Sequence, residues 1–435
     1  MAQPANLKKM TRERMERTGE SYTTARKNIM AGKPESPRAA RAAAARNGGA
    51  GKQYGKSYAK PHAKSSGKAQ SKPAPQPAEE ELPEYPAPND VMQYDAALWH
   101  RVFTQAGVVH PLTRQPLSEA LLAGLAGGIG FMSFTHADDG AVQITAATRP
   151  VTEPWTQNLL TRSGTKVLER TTNSGVRAEE YLNAGLDAGR AVVVRVAVAA
   201  LPWIDAESVD EDDVIDLAVV GEHEDANLLV DDGSGVLNLI SPAELSAARA
   251  ARKKEKHWQA WVPSKRSPRP DALAASVREA IAGTTAHLLG TDASLPVHLA
   301  RNFGIAGMRT LAARLADTES KTGWGQLLAE APVRAAALEQ FAGFLTDTRF
   351  GAPGGLRGLY AEFLAEASEL PGLSALGAHV AAYNDLAEAW DEFTGLVDPQ
   401  VSDASLRPML DELSAKQLVL AEAEQQAAQD LAAAL

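Results

Sequence analysis

The most restrictive feature of this sequence is a long segment without the side chains that build a hydrophobic core. Residues 32–88 are mainly Ala, Gly, Pro, Lys and Ser, and Leu82 is their only large aliphatic residue. Such a segment cannot bury enough apolar surface to offset the conformational entropy that ordering removes. We therefore predict a disordered basic tail over residues 1–88, with a short helical segment at 7–31, and a folded part that begins near Asn89.

Formal charge divides the chain into a basic tail and an acidic remainder. The whole chain carries −10. Residues 1–72 contain 17 Lys and Arg against 4 Asp and Glu, a net charge of +13 that leaves −23 for the rest. This division indicates two surfaces with different partners, or a tail that binds the acidic loop of its own body at residues 205–213.

A regular pattern in the tail indicates where a partner binds. Lysines recur every four residues with tyrosines between them, and the candidate residues are Lys52, Lys56, Lys60, Lys64, Lys68, Tyr54 and Tyr58. Lysines neutralise phosphates and tyrosines stack on bases, so nucleic acid is one candidate partner of residues 1–75. The tail has no zinc-finger or RNA-recognition signature, and a protein or peptide is the other candidate.

The hydrophobic pattern after the tail predicts an α+β protein. We expect an α/β domain over residues 89–263 and an all-α domain over residues 264–435, because only helical periodicity follows Asp271. Residues 191–199 (AVVVRVAVA) are apolar almost without interruption, as in a strand that is covered on both faces.

Other segments of the first domain have clear local signals. Residues 214–220 predict a strand, and residues 227–230 and 236–240 flank the turn sequence DDGSG and predict a hairpin. Residues 242–254 predict a helix.

The glycine-rich string GLAGGIGF, residues 124–131, is the most distinctive local motif. A phosphate-binding loop places its glycines between a strand and the N-terminus of a helix. Here Ser118 caps a helix over residues 119–125, and the glycines follow that helix and precede a strand. Termination of the helix and close backbone packing explain the glycines better than nucleotide binding does.

Composition excludes several classes of chemistry. The chain has no cysteine, which removes disulfides, cysteine-ligated metals and a cysteine nucleophile. It has neither an apolar run of membrane-spanning length nor a secretory signal, so we expect a cytoplasmic protein that does not bind membranes. We expect no cofactor.

Acidic and histidine residues of the first domain also have ordinary structural interpretations. The run from Asp205 to Asp216 lacks the spacing of a calcium-binding loop and is interpreted as a solvated acidic loop, so no metal site is expected. His223 is interpreted as a surface residue beside a turn. Asp231, Asp232 and Gly233 are explained by the hairpin turn.

Several strings together resemble a known family. The N-terminal domain of the butirosin-biosynthesis H proteins is similar to residues 116–131 (PLSEALLAGLAGGIGF), 191–203 (AVVVRVAVAALPW) and 216–232 (DLAVVGEHEDANLLVDD). The helical domain of unknown function that often follows it is similar to residues 301–318, 354–370 and 387–393. The resemblance covers roughly residues 91–435.

The resemblance implies a papain-like fold and acyl transfer from carrier proteins by a cysteine–histidine pair. The family's Cys belongs at the start of the first helix, where this chain has Tyr94 or a neighbour. The family's His belongs where Ile215 and Asp216 stand, and Asp232 matches the family's Asp. Because both members of the catalytic pair are replaced, we predict that the inherited reaction is lost and that no residue is catalytic.

Three functions follow from these observations. The first is a non-catalytic papain-like binding or assembly module, whose ligand cleft we expect near Trp99, His100, Gly127, Gly128 and Phe131. The second is an acyltransferase or amide hydrolase with non-cysteine chemistry, for which His100, His110 and His223 are the candidate bases. The third is a nucleic-acid-associated scaffold that acts through the tail.

Overall fold

A computed structural model describes residues 84–88, 91–138, 141–150, 154–206, 209, 212–223, 225–252, 254–291 and 298–435. The predictions for the helical segment at 7–31, for disorder of the tail and for its lysines and tyrosines lie outside these residues. The described residues have mixed α/β structure first and helices afterwards.

The α/β part contains five helices and eight strands among the described residues. The helices are α1 (Tyr94–Gln105), α2 (Glu119–Ala126), α3 (Trp155–Arg162), α4 (Gly175–Asp187) and α5 (Pro242–Ala250). The strands are β1 (Met132–Asp138), β2 (Ala141–Ala147), β3 (Leu168–Arg170), β4 (Val192–Ala197), β5 (Val214–Glu222), β6 (Leu228–Asp231), β7 (Leu237–Ile240) and β8 (Gln259–Trp261).

Six of these strands form one antiparallel sheet in the order β3-β8-β4-β5-β6-β7, and β1 pairs with β2 in a separate hairpin. The prediction that β4 is covered on both faces is confirmed. Val192 and Val194 pack in a core on one face, whereas Val193 packs in a larger core on the other. Arg195 is the one residue of β4 that is not fully buried.

Two predictions about local structure need correction. The helix expected over residues 242–254 ends at Ala250, and the chain turns back from there into β8. The pattern did not indicate β3 or β8 because each has only three residues, which is too short for a period-two signal.

The helical part follows β8. Its helices are α6 (Pro270–Leu289), α7 (Gly304–Ala316), α8 (Trp324–Leu327), α9 (Ala331–Thr346), α10 (Arg357–Ser368), α11 (Val380–Leu396) and α12 (Asp403–Ala433), with short 3₁₀ turns at Ala300–Asn302, Pro353–Leu356 and Ser374–His379. Side chains of this part and of the α/β part share the larger core, where Phe131 stacks on Trp390. No described helix is long and apolar enough to cross a membrane.

The glycine-rich string has the predicted order of helix, glycines and strand. Ser118 is the N-cap of α2, and its hydroxyl accepts a hydrogen bond from the Leu121 N–H. Gly127 ends the helix and Gly128 has φ +62°. A Cβ atom on Gly128 would lie 2.4 Å from the ring of Tyr360, so this backbone approaches the helical part too closely for a side chain.

Candidate functional site

The N-terminus of α1 opens into a pocket with a volume of about 420 Å³. The pocket is surrounded by the N-terminus of α1, strands β4 and β5, the loop after α5 and the loop at residues 347–350. Its lining is mostly charged and consists of Tyr94, Asp95, Arg149, Pro150, Thr156, Arg195, Asp213, Val214, Ile215, Asp216, Arg252, Glu255, Arg349 and Phe350.

Tyr94 is the first residue of α1 and is almost fully buried. Its hydroxyl donates a hydrogen bond to the backbone carbonyl of Asp216, and its ring lies against Gly233, where a Cβ atom would be 2.4 Å away. Burial raises the pKa of Tyr94 well above its usual value, and the charges of Asp95 and Asp216 raise it further. The phenol is therefore protonated at neutral pH and unsuited to nucleophilic attack.

The carboxylate of Asp216 is held by neighbouring side chains. Arg195 on β4 donates to its two oxygens over 2.6 and 3.0 Å, and Thr156 donates over 3.1 Å. Burial acts to lower the pKa of Arg195, but its hydrogen bond to Asp216 and the charge of that residue raise it overall. The interpretation of the run from Asp205 to Asp216 as solvated is wrong for Asp216, because this residue is only 5% exposed and pairs within the sheet.

Arginine side chains line two further walls of the pocket. Arg149 forms an ion pair with Asp95 at 2.6 Å, donates to the backbone carbonyl of Arg349 at 2.9 Å and lies 4.1 Å above the ring of Trp155. Arg349 pairs with Asp347, and this hydrogen bond raises the pKa of Arg349. Each cation is thus held in place by a carboxylate or an aromatic face.

A second pocket, with a volume of about 600 Å³, adjoins the first and shares Val214 and Arg252 with it. Its remaining lining residues are Ala197, Ala199, Ala200, Asp212, Ala251 and Lys254. The two pockets therefore adjoin at Val214 and Arg252, and most residues that line the first are charged, whereas most residues that line the second are aliphatic.

None of the three candidate histidine bases lines either pocket. His100 Nδ1 donates to the carbonyl of Leu117 at 2.6 Å, and burial lowers its pKa. His110 is fully buried near the start of α2. His223 is exposed, and its Nδ1 donates to Asp225 at 2.8 Å in a turn.

The two aspartates of the hairpin turn have different environments. Asp231 is fully buried, pairs with Arg101 of α1 at 2.5 Å and accepts a hydrogen bond from the Tyr85 hydroxyl at 2.6 Å. Asp232 accepts from the indole N–H of Trp203 at 2.8 Å. The prediction of a hairpin turn explains the backbone at these aspartates. It did not include the buried ion pair between Asp231 and Arg101, which anchors α1 to the sheet.

The other residues named from the sequence are divided between the pocket and the core. Ile215 and Asp216 line the pocket together with Tyr94. The remaining ligand-cleft candidates lie in the core: Trp99 contacts Phe103, and Gly127, Gly128 and Phe131 are fully enclosed. His100 is half-buried outside both pockets.

Sequence reasoning missed the four arginines of the pocket, Arg149, Arg195, Arg252 and Arg349. The sequence contained a signal for one of them, because Arg195 is the only charged residue in an otherwise apolar, buried strand. Among the described residues, no group of three or more His, Asp or Glu side chains is placed to hold a metal ion.

Two known families match most of the residues that the structure describes. Residues 99–233 match the family described as butirosin biosynthesis protein H, N-terminal. The chain contains a butirosin biosynthesis protein H N-terminal domain. Residues 243–431 match the domain of unknown function DUF4872, so both resemblances noted in the sequence are confirmed. No curated protein matches the chain.

The pocket combines residues from inside and outside the H N-terminal domain. Arg149, Arg195 and Asp216 belong to the matched segment, and Tyr94 lies just before it. Arg252 and other lining residues belong to the DUF4872 match, as does β8 of the central sheet. The first pocket is therefore formed by residues from both matched segments of the chain.

Proposed function

We propose that this protein is a non-catalytic, papain-like binding or assembly module that uses the pocket at the N-terminus of α1 as its ligand site. The observation that carries the proposal is the hydrogen bond from the Tyr94 hydroxyl to the Asp216 carbonyl. It occupies the place where the family resemblance implies a cysteine facing a histidine. The complete absence of cysteine from the chain supports the same conclusion.

The remaining hydroxyl of the pocket does not offer an alternative nucleophile. Thr156 donates its proton to Asp216, whose carboxylate is already held by Arg195. A threonine needs an adjacent base to attack an acyl carbon, and no histidine lies among the described residues that line the pocket. The arrangement therefore supports binding over an acyltransferase or amide hydrolase with non-cysteine chemistry.

The tail provides a second interaction. The +13 charge of residues 1–72 and the lysines with interleaved tyrosines favour an anionic partner, whereas the rest of the chain, with a charge of −23, disfavours one. In this proposal the pocket and the tail act separately, so that the protein brings a small ligand and a polyanionic partner together.

The test is an assay for the reaction that the proposal excludes. The full chain is incubated with butyryl thioesters, thiol release is followed, and intact-mass spectrometry checks for acyl-protein adducts. We expect neither thiol release above the buffer rate nor a covalent adduct.

Two variants give the assay its control. Tyr94→Phe removes the phenol but keeps the ring, and Thr156→Val removes the other hydroxyl with little change in shape. If the unmodified chain turns over thioesters and either variant abolishes that turnover, the pocket is catalytic and the proposal is wrong.

A further inference from the structure

The two adjoining pockets differ in chemistry. The first is lined mainly by charged side chains. Of the eight residues that line the second, five are aliphatic, namely Ala197, Ala199, Ala200, Val214 and Ala251, and three are charged, namely Asp212, Arg252 and Lys254. Their volumes of about 420 and 600 Å³ lie in the range of ligand sites, which is about 300–1,000 Å³. A ligand that spans the junction meets charge at one end and aliphatic surface at the other.

Arg252 stands at the junction and is only partly neutralised. Its side chain is 8% exposed, and the nearest carboxylate among the described residues, that of Glu255, is 3.4 Å away. Glu255 is also bound by Arg195 at the shorter distance of 2.7 Å. Burial lowers the pKa of Arg252 and the charge of Arg195 lowers it further, and the charges of Glu255 and Asp216 offset these effects only in part. A second anion beside Arg252 would therefore be stabilised there.

Val214 marks the apolar side of the junction. It is 46% exposed although it opens a strand whose residues 216–219 are buried. Val214 lines the same pocket as the half-buried Ala199 and Ala200, and an aliphatic group that covers this surface gains about 25 cal/mol per Å².

We propose that the junction binds a small aliphatic carboxylate, with the carboxylate on Arg252 and the alkyl chain against Val214 and the alanines of the second pocket. This inference rests on the proposed function, because it names the ligand class of the same site. The Nε of Arg252 donates to the Lys254 carbonyl at 3.2 Å, so the carboxylate is placed on the two terminal nitrogens of the planar guanidinium. Asp212, Asp213 and Glu255 border the junction and disfavour a doubly charged phosphate by repulsion.

The experiment titrates the full chain with octanoate by isothermal calorimetry, beside octan-1-ol, octyl phosphate and acetate. We expect octanoate to bind most tightly. Octan-1-ol lacks the charge and acetate lacks the chain, so each should bind at least tenfold more weakly. Octan-1-ol or octyl phosphate binding as tightly as octanoate would overturn the assignment of a carboxylate.

Two pairs of variants localise the site. Arg252→Gln and Val214→Glu are each expected to raise the Kd of octanoate tenfold or more. Their matched controls are Arg407→Gln, at an exposed arginine of α12, and Val176→Glu, at an exposed valine of α4, neither of which lines either of these two pockets. Equal affinity of Arg252→Gln and the unmodified chain, with an unchanged urea unfolding midpoint, would overturn the proposal.

The outcome is separable from that of the proposed function. Absence of octanoate binding, together with absence of thioester turnover, overturns the ligand class and leaves the non-catalytic assignment standing. Turnover of thioesters overturns the non-catalytic assignment whatever octanoate does.

Discussion

Arg357 and Glu424 form an ion pair in which neither side chain has any solvent-exposed surface. Arg357 is the first residue of α10, and Glu424 lies in α12. Through its other nitrogens Arg357 donates to the carbonyls of Gly130 and Thr148 at 2.9 Å each. The buried pair therefore ties the DUF4872 helices to the backbone of the H N-terminal domain.

Removal of one member of this pair should destabilise the whole folded part. Glu424→Gln keeps the shape of the side chain but leaves Arg357 buried without a counter-charge, and Trp390 donates to the same carboxylate at 2.8 Å. We expect the free energy of unfolding in urea to fall by about 3 kcal/mol or more. Arg407→Gln, in the exposed pair with Asp411, is the control and should leave the midpoint unchanged. A loss below about 0.5 kcal/mol for Glu424→Gln would contradict this role.

Gly128 should not tolerate alanine. Its φ of +62° is strained for residues with a Cβ, and that atom would overlap the ring of Tyr360. We expect Gly128→Ala to cost about 2–3 kcal/mol in urea unfolding. Gly343→Ala is the matched control within α9, where nothing lies within 4 Å of the added atom, and it should stabilise the protein by up to about 1 kcal/mol. Similar effects of the two changes would argue against close packing at Gly128.

His110 should make stability depend on pH. Burial lowers its pKa below the ordinary value of about 6.5, and its Nδ1 accepts from the N–H groups of Leu112 and Thr113 at 3.4 and 3.3 Å. As the pH falls through 6.5, the unfolded chain binds a proton before the folded chain does, so the free energy of unfolding decreases.

The measurement compares urea unfolding at pH 7 and pH 5 for the unmodified chain and for His110→Asn, which retains an acceptor near the Nδ1 position. We expect the variant to lose less stability over this interval than the unmodified chain does. Some dependence should remain, because burial also lowers the pKa of His100 and of His257. Identical slopes for the two proteins would exclude His110 as the source.

The tail should bind polyanions in a salt-dependent way. The full chain and a variant that lacks residues 1–75 are titrated with fluorescent single-stranded RNA at 50 and 200 mM salt. If six phosphates are neutralised, the affinity of the full chain for single-stranded RNA falls by about 300-fold between these conditions, and the deletion abolishes binding.

Replacing the five lysines from Lys52 to Lys68 with glutamine tests whether this pattern matters more than total charge. Full affinity of that variant would show that the other basic residues are sufficient. Undiminished binding by the deletion variant would place the RNA site on the folded body instead.

Local sequence determined the elements that depend on near neighbours. The hydroxyl of Ser118 begins α2, the glycines after Ala126 end it, and the apolar run around β4 forms the centre of the sheet. Each of these signals acts within about one helical turn or one strand, and so it can be recognised without knowledge of the rest of the molecule.

Tertiary structure alone decided the site. Tyr94 meets Asp216 only because α1 packs against β5, more than a hundred residues later in the chain. Trp99 and Phe131 face the core instead of the pocket because packing of the helical part, absent from any local pattern, encloses them. The four arginines line one pocket because the register of the strands and the paths of the loops bring them together. Register and loop paths in turn depend on the cooperative burial of side chains that are distant in sequence.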